Sequence, residues 1–192
     1  MEAERFFMRT DPVHQTLRKI TSRLDELGIS YAVVGGMALV AHGYDRTTTD
    51  VDILLTAQGL EQAHAALEGL GYVPPFAGSK NLRDTGTGVR IEFLVAGQFP
   101  GDGKPKPVAF PDPTAVATPI DGIKYIGLPP LLELKLASGM SNITRMKDIA
   151  DVIELIRTLK LPRTTAQKLN PYVQPKFLEL WDAVAADQSS PS

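Results

Sequence analysis

The sequence of 192 residues contains no cysteine. Disulfide bonds, thiolate metal sites and cysteine nucleophiles are therefore excluded. The sequence also lacks an apolar run of the roughly 20 residues that a membrane-spanning helix needs, and residues 1–20 have no apolar core of the signal-peptide kind. We therefore expect a soluble, cytoplasmic protein.

Neither charge is in large excess, since the net charge is −2. This balance argues against a surface coated with basic residues for nucleic acid. The charges are unevenly distributed, however: residues 135–176 hold eight Lys and Arg against three Asp and Glu, whereas residues 1–134 hold twelve against sixteen. The basic segment is either a solvated helical surface or a contact for triphosphate or RNA.

Residues 31–55, YAVVGGMALVAHGYDRTTTDVDILL, hold the most informative pattern. A short apolar strand ends at Gly35-Gly36, where the chain can turn sharply and bring backbone N–H groups close to a phosphate. A short helix over residues 37–42 follows, and then a strand that begins with Asp50 and Asp52. The alternative for the glycine pair is an ordinary tight turn.

Asp50 and Asp52 lie on the same face of the predicted strand because side chains alternate along it. Two neighbouring carboxylates repel each other, and a hard divalent ion such as Mg²⁺ between them removes that repulsion. The alternative is a pair of ordinary surface acids at a strand end. Arg46 and Thr49 are close enough in sequence to assist at such a site.

Glu92 lies in a second strand, over residues 89–95, and points away from that strand's apolar side chains. This strand and residues 80–85 form a predicted hairpin through Gly86-Thr87-Gly88. Glu92 is either a third metal ligand or a partner of Arg83 or Arg90 on the sheet surface. Asp84 competes for the role of third ligand, but it adjoins the turn.

The remaining pattern predicts helices around these strands. Asp11-Pro12 begins an amphipathic helix that ends at Gly28 and carries His14 on its surface. Further helices are predicted over residues 60–70, from Pro129-Pro130 to Gly139, around residues 149–156, and beyond Pro162. Residues 72–73 and 124–126 are predicted short strands, and residues 97–113 a flexible loop with the length of a lid.

Lys135 lies among leucines in the predicted helix after Pro129-Pro130, and Arg145, Lys147, Asp148 and Asp151 follow it. Lys135 is either a functional cation or a lysine whose stem covers apolar surface while its ammonium reaches water. Asp148 has its own structural explanation, since an acid in the first turn of a helix is stabilised by the helix dipole.

Gly35-Gly36, thirteen intervening residues and then Asp50-x-Asp52 resemble the signature of the nucleotidyltransferase superfamily, which has the polymerase-β-like fold. The resemblance extends from Tyr31 to Arg157 and is greatest to small standalone bacterial members related to AbiEii-type toxins, in which Lys135 resembles a distal lysine and Lys147-Asp148-x-x-Asp151 a K/R-D-x-x-D helix. It implies an α/β (α+β) fold with a mixed sheet flanked by helices. From the resemblance together with the predicted elements on either side of this stretch, we expect a nucleotidyltransferase catalytic core over residues 1–127, a C-terminal helical region packed on the core over residues 128–186 and a disordered tail over residues 187–192.

The resemblance implies transfer of a nucleoside monophosphate from an NTP to an acceptor hydroxyl on RNA, protein or a small molecule. Asp50, Asp52 and Glu92 would hold Mg²⁺ or Mn²⁺, and Gly35, Gly36, Arg46, Thr49 and Lys135 would bind the nucleotide. Lys135 and Asp148 would complete the catalytic set. A toxin-like role implies a cognate antitoxin as partner, and tRNA is one acceptor to consider. The alternative function is a non-catalytic module of the same fold that binds a nucleotide or a partner protein.

Overall fold

A computed structural model describes residues 9–189, and these residues form two compact units. The first contains the described residues up to Ala41, Asp45–Ala96 and Pro111–Ile126. The second contains His42–Tyr44, Gly97–Phe110 and the described residues from Gly127 onward. Residues 97–110, which the sequence places in the core, thus group with the C-terminal helices.

Within the described residues, the first unit is built on one sheet of seven strands. In chain order they are β1 (Ala32–Val34), β2 (Asp50–Leu55), β3 (Tyr72–Val73), β4 (Leu82–Asp84), β5 (Arg90–Val95), β6 (Ala117–Ile120) and β7 (Ile123–Ile126). Their spatial order is β3-β4-β5-β2-β1-β7-β6. The pairs β2–β5 and β1–β7 are parallel and the others antiparallel, so the predicted mixed sheet is confirmed.

Four helices accompany the strands within the described part of this unit: α1 (Pro12–Glu26), α2 (Gly35–Ala41), α3 (Ala57–Leu67) and α4 (Pro113–Val116). α1 begins as its sequence predicts, because the Asp11 carboxylate accepts hydrogen bonds from the backbone N–H groups of Val13 and His14. Thr56 caps α3 in the same way by accepting from Gly59 N–H. Such caps compensate for N–H groups that have no partner within the helix.

His14 differs from the sequence prediction, which placed it on the surface. It is only 5% exposed, and its Nδ1 lies 2.5 Å from Asp11 Oδ2. The Asp11 carboxylate therefore caps the helix and pairs with the imidazole at once. Burial of a histidine is tolerated when a carboxylate satisfies its ring nitrogen.

Alternation along β2 and β5 separates an apolar face from a polar one. Val51, Ile53, Ile91 and Phe93 are fully buried. Burial of side chains of this size stabilises the fold by about 1.5–3 kcal/mol each before the cost of ordering them is counted. The intervening side chains point to the other face of the sheet and include the predicted site acids.

The second unit consists mainly of helices, namely α5 (Leu128–Ser141), α6 (Met146–Leu159) and α7 (Gln174–Ser189), with 3₁₀ turns at Ile143–Arg145 and Arg163–Lys168. Its core includes Leu132, Leu136, Val152, Leu155 and Phe177. None of the helices within residues 9–189 is long and apolar enough to cross a membrane.

The chain end differs from the expected tail over residues 187–192. Asp187 lies within α7, and Arg157 donates a hydrogen bond of 3.0 Å to its carboxylate. Residues 190–192 lie outside the described part of the chain.

The long loop after β5 was expected to be flexible, yet it is fastened within the second unit. Lys106 Nζ donates to Pro100 O at 2.7 Å and to Asp102 Oδ1 at 2.6 Å. Asp102 N–H donates to Ser141 Oγ on α5 at 3.3 Å, and Asn170 donates to Pro107 O. These contacts hold the loop at several points, so its length alone does not indicate a lid.

Candidate active site

Gly35 directly follows β1 and begins α2, and two observations explain why glycine occupies this position. Its φ is +61°, a left-handed conformation that side chains other than glycine rarely adopt. In addition, a Cβ atom built on Gly35 would lie 1.9 Å from Asp52 Oδ2. The Gly35 backbone therefore approaches the Asp52 carboxylate as closely as only glycine permits.

This approach follows from strand pairing. β1 and β2 are antiparallel with Val34 opposite Asp52, so the residue after Val34 arrives directly beside the Asp52 side chain. Gly36 is similarly confined, because a Cβ there would lie 2.6 Å from Thr48 Oγ1. Thr48 was not singled out in the sequence, since only the fold brings it against the glycine pair.

Asp50, Asp52 and Glu92 emerge on one face of the sheet. In the parallel pairing of β2 with β5, Asp50 is opposite Arg90 and Asp52 is opposite Glu92. Paired residues on neighbouring strands point the same way, and the strands lie about 4.8 Å apart. All three acids are partly exposed to solvent. We call these three residues the acid face.

Arg90 shares the acid face and interacts with one of its members. Its Nη2 lies 3.1 Å from Glu92 Oε1, with 47% of the Arg90 side chain and 35% of the Glu92 side chain exposed. The ion pair that the sequence offered as an alternative role for Glu92 is therefore formed. Arg83 lies opposite Arg90 on β4 and points the same way.

Asp84, the competing candidate for a third ligand, lies on the other face of the sheet. It is fully buried, accepts a hydrogen bond of 2.9 Å from Lys19 Nζ, and accepts another of 2.8 Å from Gly86 N–H. Burial raises the pKa of Asp84, but the hydrogen bonds and charge of Lys19 and the backbone of Gly86 outweigh it and hold the pKa below its ordinary value. Asp84 thus links α1 to the hairpin and is not directed to the acid face.

The two predicted assisting residues lie in the connection before β2. Thr49 Oγ1 donates to Asp50 Oδ2 at 3.2 Å, so Thr49 directly contacts the acid face. Arg46 is half-buried, and its Nε donates to Thr47 O at 3.4 Å.

Lys135 and Asp148 belong to the second unit, where they form a buried polar cluster between α5 and α6. Lys135 Nζ lies 2.9 Å from Asp148 Oδ1 and 2.8 Å from Asp151 Oδ2. Ser138 Oγ donates to Asp148 Oδ2 at 2.6 Å, and Arg145 Nε donates to the same oxygen at 3.0 Å. We call the buried residues Lys135, Ser138, Asp148 and Asp151, together with the exposed Arg145 at their edge, the buried cluster.

The charges of the buried cluster balance. Burial raises the pKa of Asp148, but Lys135, Ser138 and Arg145 together hold it below its ordinary value. Lys135 is only 9% exposed. Its ammonium therefore serves two carboxylates within its own unit.

The chemistry of the acid face favours a metal ion, whereas the arrangement of its side chains limits how well a metal ion fits. Carboxylate oxygens that are partly exposed suit a hard divalent cation, and the space left by the missing Cβ of Gly35 accommodates the Asp52 carboxylate. Nevertheless, among residues 9–189 no three His, Cys, Asp or Glu side chains are grouped so that they could hold a metal ion. The chemistry of Asp50 and Asp52 fits the role, whereas Glu92 has one carboxylate oxygen already paired with Arg90.

Comparison with other proteins supports the fold. No family model matches the sequence, and no curated protein matches it in sequence. The crystal structure of ANT(2'')-Ia in complex with adenylyl-2''-tobramycin is similar to this chain with a TM-score of 0.53 and 12% identity, and the match covers 91% of this chain and 98% of the other.

A second similar structure is an antigenic nucleotidyltransferase-like protein from Paracoccidioides brasiliensis, with a TM-score of 0.51 and 19% identity. That match covers 91% of this chain and 87% of the other. At such identities the likeness concerns the fold and not the activity, and the resemblance to AbiEii-type toxins stays a prediction. The chain has the fold of the nucleotidyltransferases.

Proposed function

We propose that this protein is a metal-dependent nucleotidyltransferase that moves a nucleoside monophosphate from an NTP to an acceptor hydroxyl and releases pyrophosphate. The proposal depends chiefly on the close approach of Gly35 to the Asp52 carboxylate. This contact combines a backbone turn that only glycine permits with an acid that shares its face with Asp50 and Glu92. The fold of the two similar structures is consistent with such a site.

In this proposal each residue of the site has a distinct role. Asp50 and Asp52 hold Mg²⁺ or Mn²⁺, Glu92 supplies a further carboxylate, and the backbone of Gly35 and Gly36 faces the triphosphate. Thr49 orients Asp50 through its hydrogen bond. The divalent ion, when bound, offsets charge on the phosphate oxygens and favours ionisation of the acceptor hydroxyl.

The proposed reaction exchanges one bond to phosphorus for another. The acceptor hydroxyl releases its proton to solvent and its oxygen bonds to the α-phosphorus, while the bond from that phosphorus to pyrophosphate breaks and pyrophosphate leaves with the electron pair. Nucleotide binding by Arg46 and Lys135, and catalytic roles for Lys135 and Asp148, stay predictions from the resemblance. The balanced charge of the buried cluster gives Lys135 a structural function that requires no nucleotide.

The acceptor is proposed only by class. The similar ANT(2'')-Ia structure contains adenylyl-2''-tobramycin, so a small-molecule hydroxyl is one class to test. RNA, including tRNA, and protein hydroxyls are the others, and a cognate antitoxin would accompany a toxin-like enzyme.

One observation favours a second function. Glu92 is paired with Arg90, and the described residues gather no three-acid group. A non-catalytic module that binds nucleotide or a partner protein would retain such a pair. This alternative predicts nucleotide binding without transfer.

The test is incubation with each α-labelled NTP, with Mg²⁺ or Mn²⁺, and separately with tRNA, a protein extract or an aminoglycoside. We expect label in one acceptor fraction. Asp50→Asn and Asp52→Asn should each abolish it while the fold persists, because Val51 and Ile53 still pack in the core. Relief of repulsion between the acids should leave stability unchanged or slightly higher.

Asp45→Asn is the matched control for these variants. Asp45 is an exposed acid in the same connection, outside the acid face. Its substitution removes the same charge as the other two variants. Because Asp45 is not proposed to bind the metal, transfer should continue at the wild-type rate. Wild-type turnover in Asp50→Asn or Asp52→Asn at saturating Mg²⁺ would contradict the metal assignment.

A further inference from the structure

Arg90 is a cation that lies beside the acid face. Its Cα is opposite Asp50 on β2, and Glu92 follows two residues later on its own strand. Because paired strand residues and alternate residues point the same way, Arg90 emerges beside both acids. Its Nη2 is 3.1 Å from Glu92 Oε1.

A guanidinium at this position competes with a metal ion for the Glu92 carboxylate, whose Oε1 it contacts. Glu92 opposes Asp52 across the β2–β5 pair, which would place it beside a cation held by Asp50 and Asp52. In the structure one oxygen of this carboxylate is paired with Arg90. Among residues 9–189, no three His, Cys, Asp or Glu side chains are grouped so that they could hold a metal ion. The carboxylate has to leave one cation before it can contribute fully to the binding of another.

We propose that Arg90 is a built-in counter-ion of Glu92 on the acid face, and that a divalent cation gains Glu92 as a full ligand only by displacing Arg90 from it. Arg90 thereby weakens metal binding and sets the divalent-ion concentration at which the site fills. The inference rests on the proposed function for the location of the metal, but its test reads metal binding directly.

The experiment measures Mn²⁺ binding from the loss of the free Mn²⁺ signal in electron paramagnetic resonance, without nucleotide. Arg90→Gln should tighten the dissociation constant about two- to fivefold, the range expected from an exposed ion pair. Arg90→Lys keeps the charge and should stay within about twofold of wild type. Thermal unfolding checks that these exposed substitutions leave the fold intact.

Two further variants separate specific competition from general charge. Arg83 points to the same face one strand further out, so Arg83→Gln removes an equal charge without breaking the Arg90–Glu92 pair. It should change the dissociation constant by less than half as much as Arg90→Gln. In a protein that already carries Glu92→Gln, Arg90→Gln should change the Mn²⁺ dissociation constant much less, because the carboxylate with which Arg90 pairs is absent.

Several outcomes would overturn the inference: unchanged or weaker Mn²⁺ binding in Arg90→Gln, an equal gain in Arg83→Gln, or an undiminished gain in the Glu92→Gln background. The labelled-NTP assay distinguishes its failure from that of the proposed function. Tighter Mn²⁺ binding in Arg90→Gln without any transfer activity would support the inference and reject the enzyme. Active transfer with unaltered Mn²⁺ binding would reject only the role of Arg90, and no Mn²⁺ binding in any variant would reject both.

Discussion

At the scale of single residues, Gly35 and Asp52 constrain each other, because a Cβ atom on Gly35 would lie 1.9 Å from Asp52 Oδ2. The sequence predicts a turn at the glycine pair and two acids on one side of a strand, both from local spacing. It does not predict that they touch, because the contact depends on the pairing of Val34 with Asp52 across β1 and β2. Pairing between segments is long-range information that a local pattern does not contain.

Gly35→Ala is therefore expected to lower the free energy of unfolding by more than backbone strain alone would. The left-handed φ of +61° costs a residue with a Cβ about 1–2 kcal/mol, and the new atom must also displace the Asp52 carboxylate. We expect a larger loss of unfolding free energy in urea than for the control Gly88→Ala, whose φ is +76° with no atom within 4 Å of the added Cβ. Equal losses would mean that Asp52 moves aside without cost.

At the scale of elements, α5 and α6 are joined by the buried cluster. The spacing of Asp148 and Asp151 predicts one shared helix face, and the leucines around Lys135 indicate an unusual lysine. Neither pattern shows that this lysine lies between the two aspartates, since the pairing crosses from one helix to the next. The prediction for His14 fails for a different reason, because its partner Asp11 is only three residues away and the sequence identifies that residue only as a helix cap.

Lys135→Met should leave Asp148 and Asp151 buried without their shared cation. Removing one member of a buried ion pair costs about 3–5 kcal/mol. We expect a loss of this order in urea unfolding, which Asp148→Asn in the same chain should partly restore by removing one of the two carboxylates that Lys135 neutralised. If Lys135→Met were as stable as wild type, the ammonium would have no structural role.

The lowered pKa of Asp148 also gives stability a dependence on pH. A carboxyl whose pKa is lower in the folded state stabilises the fold above its unfolded pKa of about 3.9, and this contribution is lost as the pH falls through the folded pKa. Unfolding free energy should therefore fall as the pH is lowered from about 5 to 3. The fall should be smaller in Asp148→Asn, with Asp84 accounting for part of the remainder.

At the scale of the whole molecule, the fold class and most elements were predictable, and β6 was not. Residues 117–120 contain Pro119, which disfavours a strand in a local pattern. β6 is nevertheless an edge strand, where the missing N–H of a proline can face away from the sheet. Sheet order, like the parallel pairing of β2 with β5, arises from the packing of distant segments.

The basic segment, residues 135–176, has fewer unpaired cations in the structure than its sequence suggests. Of its eight Lys and Arg over residues 135–176, all described by the structure, five form ion pairs with carboxylates: Lys135, Arg145, Arg157, Arg163 and Lys176. The other three are exposed and form no ion pair with a described residue: Lys147, Lys160 and Lys168. The local excess of +5 therefore overstates the number of cations available to a polyanion.

Binding of a single-stranded RNA such as polyuridylate should accordingly depend only weakly on salt. Three lysines correspond to a slope of about −2 in a plot of the logarithm of the binding constant against that of the salt concentration, whereas eight free cations would give about −5 to −6. Lys147→Gln combined with Lys160→Gln should flatten the slope by about 1.4, while Arg157→Gln, which removes a cation already paired with Glu154 and Asp187, should leave it unchanged. A slope near −5 would mean that the paired cations exchange their carboxylates for phosphates, and RNA would become the favoured acceptor class.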